Sequence, residues 1–147
     1  GPAGENAFLR VSVCALVLNA AMAWGAGRVN DSVSVKDMAL DLNARLAAVQ
    51  EDRPVKIYAY DVYLHGIPFY TGRPVDVVNW LGEMHYAKRF ERFKHRFADD
   101  DDMRALPVEG RTTFVTVPSR QKQQFLALSK QPPRRVTAYG AWLLIEY

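Results

Sequence analysis

The side chains able to do acid–base, nucleophilic or metal chemistry are scattered along this sequence. His65, His85 and His95 share no ligand spacing, so each is interpreted as a surface or partly buried imidazole. The one cysteine, Cys14, lies in an apolar stretch, where burial would keep its thiol protonated and unreactive. The aspartate run 99–102 lacks the alternating ligands and the glycine of a calcium loop, which predicts a solvated, acidic connector. No metal site is predicted.

Short motifs of known chemistry are equally sparse. The run 25–30 (GAGRVN) begins like a dinucleotide fingerprint, but Asn30 occupies the third glycine position, so the run is interpreted as a structural turn. The sequence has no Walker loop, no G-x-S-x-G nucleophile elbow and no H-E-x-x-H zinc motif. No pair of titratable side chains has the local spacing of an acid–base or nucleophilic pair, so no catalytic residue is predicted.

The elements that must position any site belong to one ordinary globular domain. A chain of 147 residues that is 49% hydrophobic and 24% charged is neither disordered nor fibrous, and it is too short for a multidomain enzyme. A single cysteine forms no internal disulfide, so stability must come from packing. The net charge of +3 suits an anionic partner but specifies no reaction.

The N-terminal region differs in character from the rest. The opening Gly1-Pro2 is typical of what a site-specific protease leaves after a tag is removed, so residues 1–5 are interpreted as such a remnant. Residues 11–26 are uncharged, small and aliphatic between Arg10 and Arg28. Three interpretations fit residues 6–28: the end of a membrane helix, a signal peptide with a small-x-small cleavage site at 21–23, or a buried helix.

The middle of the chain alternates helix and strand signals. Apolar residues recur at helical spacing over 35–49, and Pro54 stops the helix that they predict. Strands rich in β-branched and aromatic residues are predicted over 55–60, 75–80 and 112–117. The glycines and prolines of 64–74 leave room for a short helix between the first two strands.

The C-terminal region predicts a helix followed by one strand. The helix covers 120–130, and Pro132 stops it before a strand over 135–147 that Gly140 bends or bulges. Helices and strands in this order favour an α/β fold, with a mixed, partly parallel sheet packed with helices over residues 29–147. The apolar, membrane-derived segment precedes it.

The strongest local pattern lies in residues 82–102. Aromatic residues at helical spacing and five interspersed cations predict one basic, amphipathic helix, followed by the aspartate run. Three interpretations stay open for it: an ordinary surface helix with its phenylalanines in the core, a contact with a membrane surface or lipid headgroup, and nucleic-acid binding. The neighbouring aspartates disfavour nucleic acid, because they would repel its phosphates.

A set of short motifs between Tyr58 and Glu83 resembles a known family. The motifs are the aromatic strand end 58–60, Ile-Pro-Phe-Tyr at 67–70, Gly-Arg-Pro at 72–74, valines at 75–78 and Gly-Glu at 82–83. With the strand TTFVTVPS and a closing Arg-Val-x-x-Tyr strand, they resemble the periplasmic C-terminal domain of bacterial membrane glycosyltransferases related to 4-amino-4-deoxy-L-arabinose transferase and the protein O-mannosyltransferases. The resemblance covers residues 55–147, and the basic helix departs from it.

The resemblance implies an enzyme of the bacterial inner membrane. Such an enzyme moves a sugar from a polyprenyl-phosphate donor to a lipid (lipid A-like) or protein acceptor at the periplasmic face. The catalytic carboxylate belongs to its membrane domain, so this fragment is expected to be non-catalytic and to bind no cofactor. The implied partners are the membrane domain of the same polypeptide and a lipid-linked sugar or lipid acceptor, and not nucleic acid.

Five residues are candidates for contact with substrate or headgroup. Arg73, Lys88 and Arg89 are the candidate cations for anionic headgroups, and Tyr63 and Tyr70 are the rings that could stack on sugar. The alternative function is a stand-alone α/β module that binds an anionic ligand.

Overall fold

The computed structural model describes residues 2–80 and 82–147 and divides between Val33 and Ser34 into two units. The first unit is a single helix, α1 (Pro2–Val33). The run 25–27 lies inside this helix, so the predicted turn there is wrong. Cys14 is exposed, because a lone helix has no second element of its unit to bury it, so its predicted burial is also wrong. Within the described residues, no helix has both the length and the apolar character to cross a membrane.

The second unit is an α/β domain with a six-stranded sheet. Its elements are α2 (Lys36–Ala48), β1 (Val55–Tyr60), α3 (Gly66–Thr71), β2 (Asp76–Val78), a 3₁₀ segment (Gly82–Arg89), α4 (Glu91–Lys94), β3 (Phe97–Ala98), α5 (Asp100–Arg104), β4 (Thr112–Pro118), a 3₁₀ turn (Ser119–Gln121), α6 (Lys122–Leu128), β5 (Arg135–Tyr139) and β6 (Trp142–Glu146). The strand order is β3-β2-β1-β4-β6-β5. The first four strands in that order are parallel, and β6 and β5 are antiparallel additions, which confirms the predicted mixed sheet.

Apolar layers cover both faces of the sheet. Helix α2 buries Met38 and Leu42 against one face, where Phe114 and Leu144 are also buried. Met103 of α5 and Phe125 of α6 lie in the layer of the opposite face. The predicted helix over 35–49 and the predicted strands over 55–60 and 112–117 are confirmed. Helix α2 buries Met38, Leu42 and Leu46 at helical spacing, and β4 is buried along its whole length between the two layers.

The predicted long helix over 82–102 is wrong. Phe90 has an extended backbone (φ −93°, ψ 124°) that separates the 3₁₀ segment from α4. Phe97 and Ala98 then pair with Val77 and Val78 as a parallel edge strand. Strand pairing thus overrides the helical spacing of the aromatic residues. Of the three interpretations of this segment, the one with its phenylalanines in the core is wrong, because Phe90 and Phe93 are exposed.

The aspartate run is the start of a helix, so the predicted connector is wrong. The Asp99 carboxylate accepts hydrogen bonds from the backbone N–H of Asp101 and Asp102, at 2.9 and 3.2 Å. Asp102 in turn accepts from the backbone N–H of Asp99 at 3.0 Å, which completes a capping box for α5. The run remains solvated, but its first role is to satisfy the free N–H groups of that helix.

Two predicted strands have different bounds in the structure. The predicted strand 135–147 is two strands, β5 and β6, joined by a two-residue turn that starts at Gly140 (φ 55°). That turn needs a positive φ, which glycine adopts without strain, so the predicted single strand is wrong. Strand β2 is shorter than the predicted 75–80, because Asn79 (φ 57°) leaves the extended conformation.

Candidate functional site

A buried carboxylate holds the edge of the sheet where β2 meets β3. The Asp76 side chain is 4% exposed and lies among the buried residues of β2. Lys56 Nζ donates to its Oδ2, and Arg96 Nη1 donates to its Oδ1 at 3.3 Å. A carboxylate buried this deeply needs such compensation, and here two cations from either side of β2 supply it. Arg96 is thereby fixed directly before β3.

A groove of about 290 Å³ lies beside this anchor. Tyr63 lines it from the loop after β1, Val75 and Val77 from the region of β2, and Phe93 and Phe97 from the end of α4 and from β3. Arg96 is the charged residue among the lining side chains. An apolar groove with one guanidinium at its wall suits a ligand that is mostly hydrocarbon and carries an anionic group.

Tyr63 is held by its aromatic neighbours. Its ring is stacked on Trp80, with centroids 6.1 Å apart and an angle of 18° between the planes. The His65 ring meets Tyr63 edge-on, with centroids 4.8 Å apart. Offset stacking and edge-on contact are the arrangements that aromatic quadrupoles favour, so the three rings form a stable wall next to the groove.

The basic aromatic segment, residues 86–94, presents rings and cations to solvent together. Tyr86, Phe90 and Phe93 are 65%, 40% and 38% exposed. The Arg89 guanidinium lies 5.8 Å from the Tyr86 ring centroid, and that of Arg92 lies 4.7 Å from the Phe93 centroid. These distances allow cation–π attraction, which keeps charge and aromatic surface side by side.

The structure brings three of the five predicted site residues to this region. Tyr63 lines the groove, and Lys88 and Arg89 follow Ala87, which also lines it. Among the described residues, Tyr70 and Arg73 do not line the groove. They lie at the end of α3 and just after Gly72, the left-handed residue (φ 62°) that ends this helix.

Tyr70 and Arg73 have other neighbours. The Tyr70 ring meets Phe69 edge-on at 5.2 Å between centroids, and its carbonyl accepts from Asn43 Nδ2 at 3.4 Å. Arg73 lines a separate recess of about 310 Å³ that Glu51 also lines. Their predicted contact with ligand stays a prediction, and the groove itself gives it no support.

The sequence analysis did not predict the ion pairs of Asp76 with Lys56 and Arg96, which lie beside the groove. Asp76 is a charged residue inside an apolar strand pattern, and this was the available signal for a buried ion pair. Its partners Lys56 and Arg96 are each 20 residues away in opposite directions along the chain, so no local motif joins the three. The pairing becomes visible once β1, β2 and β3 lie side by side.

A second polar cluster lies at the carboxyl ends of the parallel strands. Tyr60 Oη donates to Asp100 Oδ1 at 3.3 Å, and Asn79 Nδ2 donates to the same oxygen at 2.5 Å. Burial, and then the charge of Asp100, raise the pKa of Tyr60. Gln121 Nε2 donates to Asp61, which has a left-handed backbone (φ 53°). These hydrogen bonds connect β1, β2 and α5, and they pair the polar groups of the cluster with one another.

The described side chains offer no set of metal ligands. Among the side chains that the structure describes, no group of three or more His, Cys, Asp or Glu is placed to hold a metal ion. The predicted residues of this region, Tyr63, Lys88 and Arg89, supply one ring and two cations. What this arrangement can do is bind: it offers apolar surface, fixed cations and stacked rings in one place.

Comparisons with known proteins bear on the fold. No protein-family model and no curated protein sequence matches the chain. The crystal structure of ArnT from Cupriavidus metallidurans bound to undecaprenyl phosphate is similar to it, with a TM-score of 0.61 and 16% identity over 80% of this chain. The apo structure of ArnT gives a TM-score of 0.58 and 15% identity over 77% of this chain.

In both comparisons the matched region is 20% of the ArnT chain, so this chain spans about a fifth of the length of the protein that it resembles. ArnT is a 4-amino-4-deoxy-L-arabinose transferase, and the short motifs of this sequence resemble the membrane glycosyltransferases related to that enzyme and to the protein O-mannosyltransferases. The resemblance is confirmed as a likeness of fold: the fold of this α/β chain is similar to the fold of one part of ArnT.

Proposed function

We propose that the chain is the periplasmic domain of an integral-membrane glycosyltransferase of the bacterial inner membrane. The parent enzyme would move a sugar from a polyprenyl-phosphate donor to a lipid (lipid A-like) or protein acceptor. The observation that carries the proposal is the likeness of fold to ArnT, which covers 80% of this chain and 20% of ArnT. A neighbour solved with undecaprenyl phosphate supports a lipid-linked donor.

In this proposal the domain binds and the rest of the parent protein catalyses. The best-buried carboxylate of the candidate site, Asp76, is neutralised by two cations and therefore serves as an anchor. The groups that remain accessible are rings and cations of the basic aromatic segment. Such groups can bind lipid and phosphate.

The basic aromatic segment would lie against lipid. Aromatic side chains favour the boundary between hydrocarbon and water, and three of them are exposed within nine residues. Lys88, Arg89, Arg92 and Lys94 carry positive charge in the same segment, against the single carboxylate of Glu91. An anionic surface attracts such a cluster with about 1 kcal/mol for each cation near the surface.

The groove beside the segment would receive hydrocarbon from a lipid chain. Val75, Val77 and Phe97 line it without hydrogen-bonding side chains, and Arg96 provides one charge at its wall. We assign Tyr63, Lys88 and Arg89 to contact with substrate or headgroup on this basis. The alternative of a stand-alone module for an anionic ligand stays a prediction.

The direct test is sugar transfer by the parent protein in vesicles with a labelled polyprenyl-phosphate sugar. Deletion of residues 34–147 is expected to abolish transfer. The variant Phe90→Ser/Arg92→Gln/Phe93→Ser is expected to lower it about tenfold, because a loss of about 1.4 kcal/mol of binding corresponds to that factor. Unchanged transfer after the deletion would show that the domain has no role in turnover.

A matched control variant carries the same kinds of substitution on other surfaces of the domain. Leu40→Ser/Arg120→Gln/Val136→Ser also removes two exposed apolar side chains and one exposed cation. We expect transfer by this control to remain within about twofold of the parent, a change of about 0.4 kcal/mol. An equal loss in both variants would show that the basic aromatic segment has no particular role.

A further inference from the structure

Three arginines meet at one end of the sheet, where β1 and β4 begin. Arg53 lies two residues before β1, and Arg111 lies directly before β4. Because β6 runs antiparallel to β4 and β5 antiparallel to β6, the start of β5 and the end of β6 lie at the same end of the sheet. Arg134, before β5, and Tyr147, after β6, therefore join the two arginines there.

These side chains line one cavity of about 510 Å³. Arg53, Arg111, Arg134 and Tyr147 all belong to its wall, together with one acidic side chain, that of Glu109. An adjoining recess of about 270 Å³ shares Arg53 and Arg134. The larger volume is within the range of about 300–1,000 Å³ that is usual for small-molecule sites.

The charge of the cavity is largely uncompensated. Within the described residues, neither Arg53 nor Arg111 forms an ion pair with a carboxylate. Arg134 Nη1 is 3.9 Å from Glu146 Oε1, while Glu146 also accepts from Arg45. Three guanidinium groups thus line a cavity that has one acidic side chain, which favours an anion of more than one charge.

Two donors of this wall lack an acceptor. Arg111 Nε and Tyr147 Oη are buried, and neither has a hydrogen-bond partner among the described residues. Buried polar atoms without partners are uncommon, and each one costs free energy. Burial raises the pKa of Tyr147, and the nearby Ser129 hydroxyl only partly offsets the shift, so the phenol remains a donor at neutral pH.

We propose that the cavity lined by Arg53, Arg111, Arg134 and Tyr147 binds a phosphoryl group, with a diphosphate as the best fit. Guanidinium groups present paired N–H donors in the geometry of phosphate oxygens, and the phenol adds a further donor. The ligand is either a soluble phosphate ester or the headgroup of a phosphorylated lipid. This site is distinct from the groove and the basic aromatic segment, and it goes beyond the function proposed above.

Titration calorimetry of the 147-residue chain with inorganic pyrophosphate tests the proposal. Arg53→Gln and Arg111→Gln are each expected to weaken binding about tenfold, which corresponds to the loss of one charge-assisted contact of about 1.4 kcal/mol. Glu109→Gln is expected to tighten it about threefold, because the acidic side chain in the described wall of the cavity is removed. Arg120→Gln, which removes an exposed cation elsewhere, is expected to change it less than twofold.

The two sources of the phosphoryl group are separated by a second titration with vesicles containing phosphatidic acid. Pyrophosphate binding that depends on Arg53 and Arg111 identifies a soluble ligand, and vesicle binding alone with the same dependence identifies a lipid headgroup. The proposal is overturned if neither probe binds, or if Arg53→Gln weakens the binding of neither probe. Should Arg111→Gln fail to fold, by circular dichroism, the more peripheral Arg53→Gln and Glu109→Gln still decide the outcome.

Discussion

At the scale of single residues, Asp76 shows how a charge is used inside this fold. It is buried in the edge region of the sheet and held by Lys56 and Arg96, which are themselves 37% and 36% exposed. The carboxylate therefore fixes β2 to both neighbouring strands while its partners keep contact with water. The sequence predicted the strand but not these pairs, because ion pairs between strands depend on register.

Asp76→Asn is expected to lower the free energy of unfolding by about 2 kcal/mol. This is less than the ~3–5 kcal/mol for breaking a fully buried pair, because the partners stay partly hydrated. Urea unfolding at pH 7 measures the change. Asp101→Asn is the matched control, since its pair with Arg104 is exposed and is expected to contribute less than about 0.5 kcal/mol. Equal effects of the two substitutions would refute the anchoring role.

A polar network joins α2 to the hairpin of β5 and β6. Arg45 donates to Asp41 and, at 2.8 Å, to Thr137 Oγ1, while Tyr139 Oη donates to Asp41. Burial raises the pKa of Asp41, but the hydrogen bonds from Tyr139 and Arg45 outweigh it, so the pKa lies below its ordinary value of 3.8. These contacts stabilise the position of α2 over the sheet.

The lowered pKa predicts how stability depends on pH. A carboxyl whose folded pKa is depressed stabilises the fold above its unfolded pKa, and that contribution is lost as pH falls through 3.8 and below. Tyr139→Phe is expected to cost about 1 kcal/mol at pH 7 and clearly less at pH 2.5. Thermal unfolding at both pH values checks this. The same cost at both would contradict the assigned cause.

At the scale of elements, the spacing of apolar residues correctly predicted the strands in the interior of the sheet but not the segment that forms its edge. Strand β1 has the predicted bounds, because its β-branched and aromatic residues are buried between two layers. The segment 82–102 has equally clear helical spacing, yet it forms a 3₁₀ segment, α4, β3 and the start of α5. Pairing with β2 decided its structure, and such pairing cannot be read from spacing along one segment.

The cap of α5 gives a test at this scale. Asp99→Ala is expected to destabilise the domain by about 1 kcal/mol, because the N–H groups of Asp101 and Asp102 lose their acceptor. Asp99→Ser keeps an acceptor at the cap and is expected to retain most of that stability. Urea midpoints of the two variants provide the comparison. A solvated connector, as predicted from the sequence, would show no difference between them.

At the scale of the whole molecule, the likeness to ArnT and the two cationic surfaces support one account. The short motifs predicted the fold, since they belong to strands and turns of the α/β unit. The candidate site could be predicted only in part, because Tyr63 lies next to the basic aromatic segment solely through the pairing of β1, β2 and β3. In the proposed function, this domain binds lipid or phosphate and the rest of the parent protein performs the transfer.

The central claim, that the groove and basic aromatic segment face lipid in the parent enzyme, is tested by photo-cross-linking. A benzophenone side chain replaces Phe93, which lines the groove, and in a parallel variant it replaces Leu40, an exposed side chain that does not. After illumination during sugar transfer in vesicles, mass spectrometry identifies the adducts. The account predicts lipid adducts at position 93 in clear excess over position 40. Equal yields at the two positions, or adducts at 93 with protein alone, would contradict it.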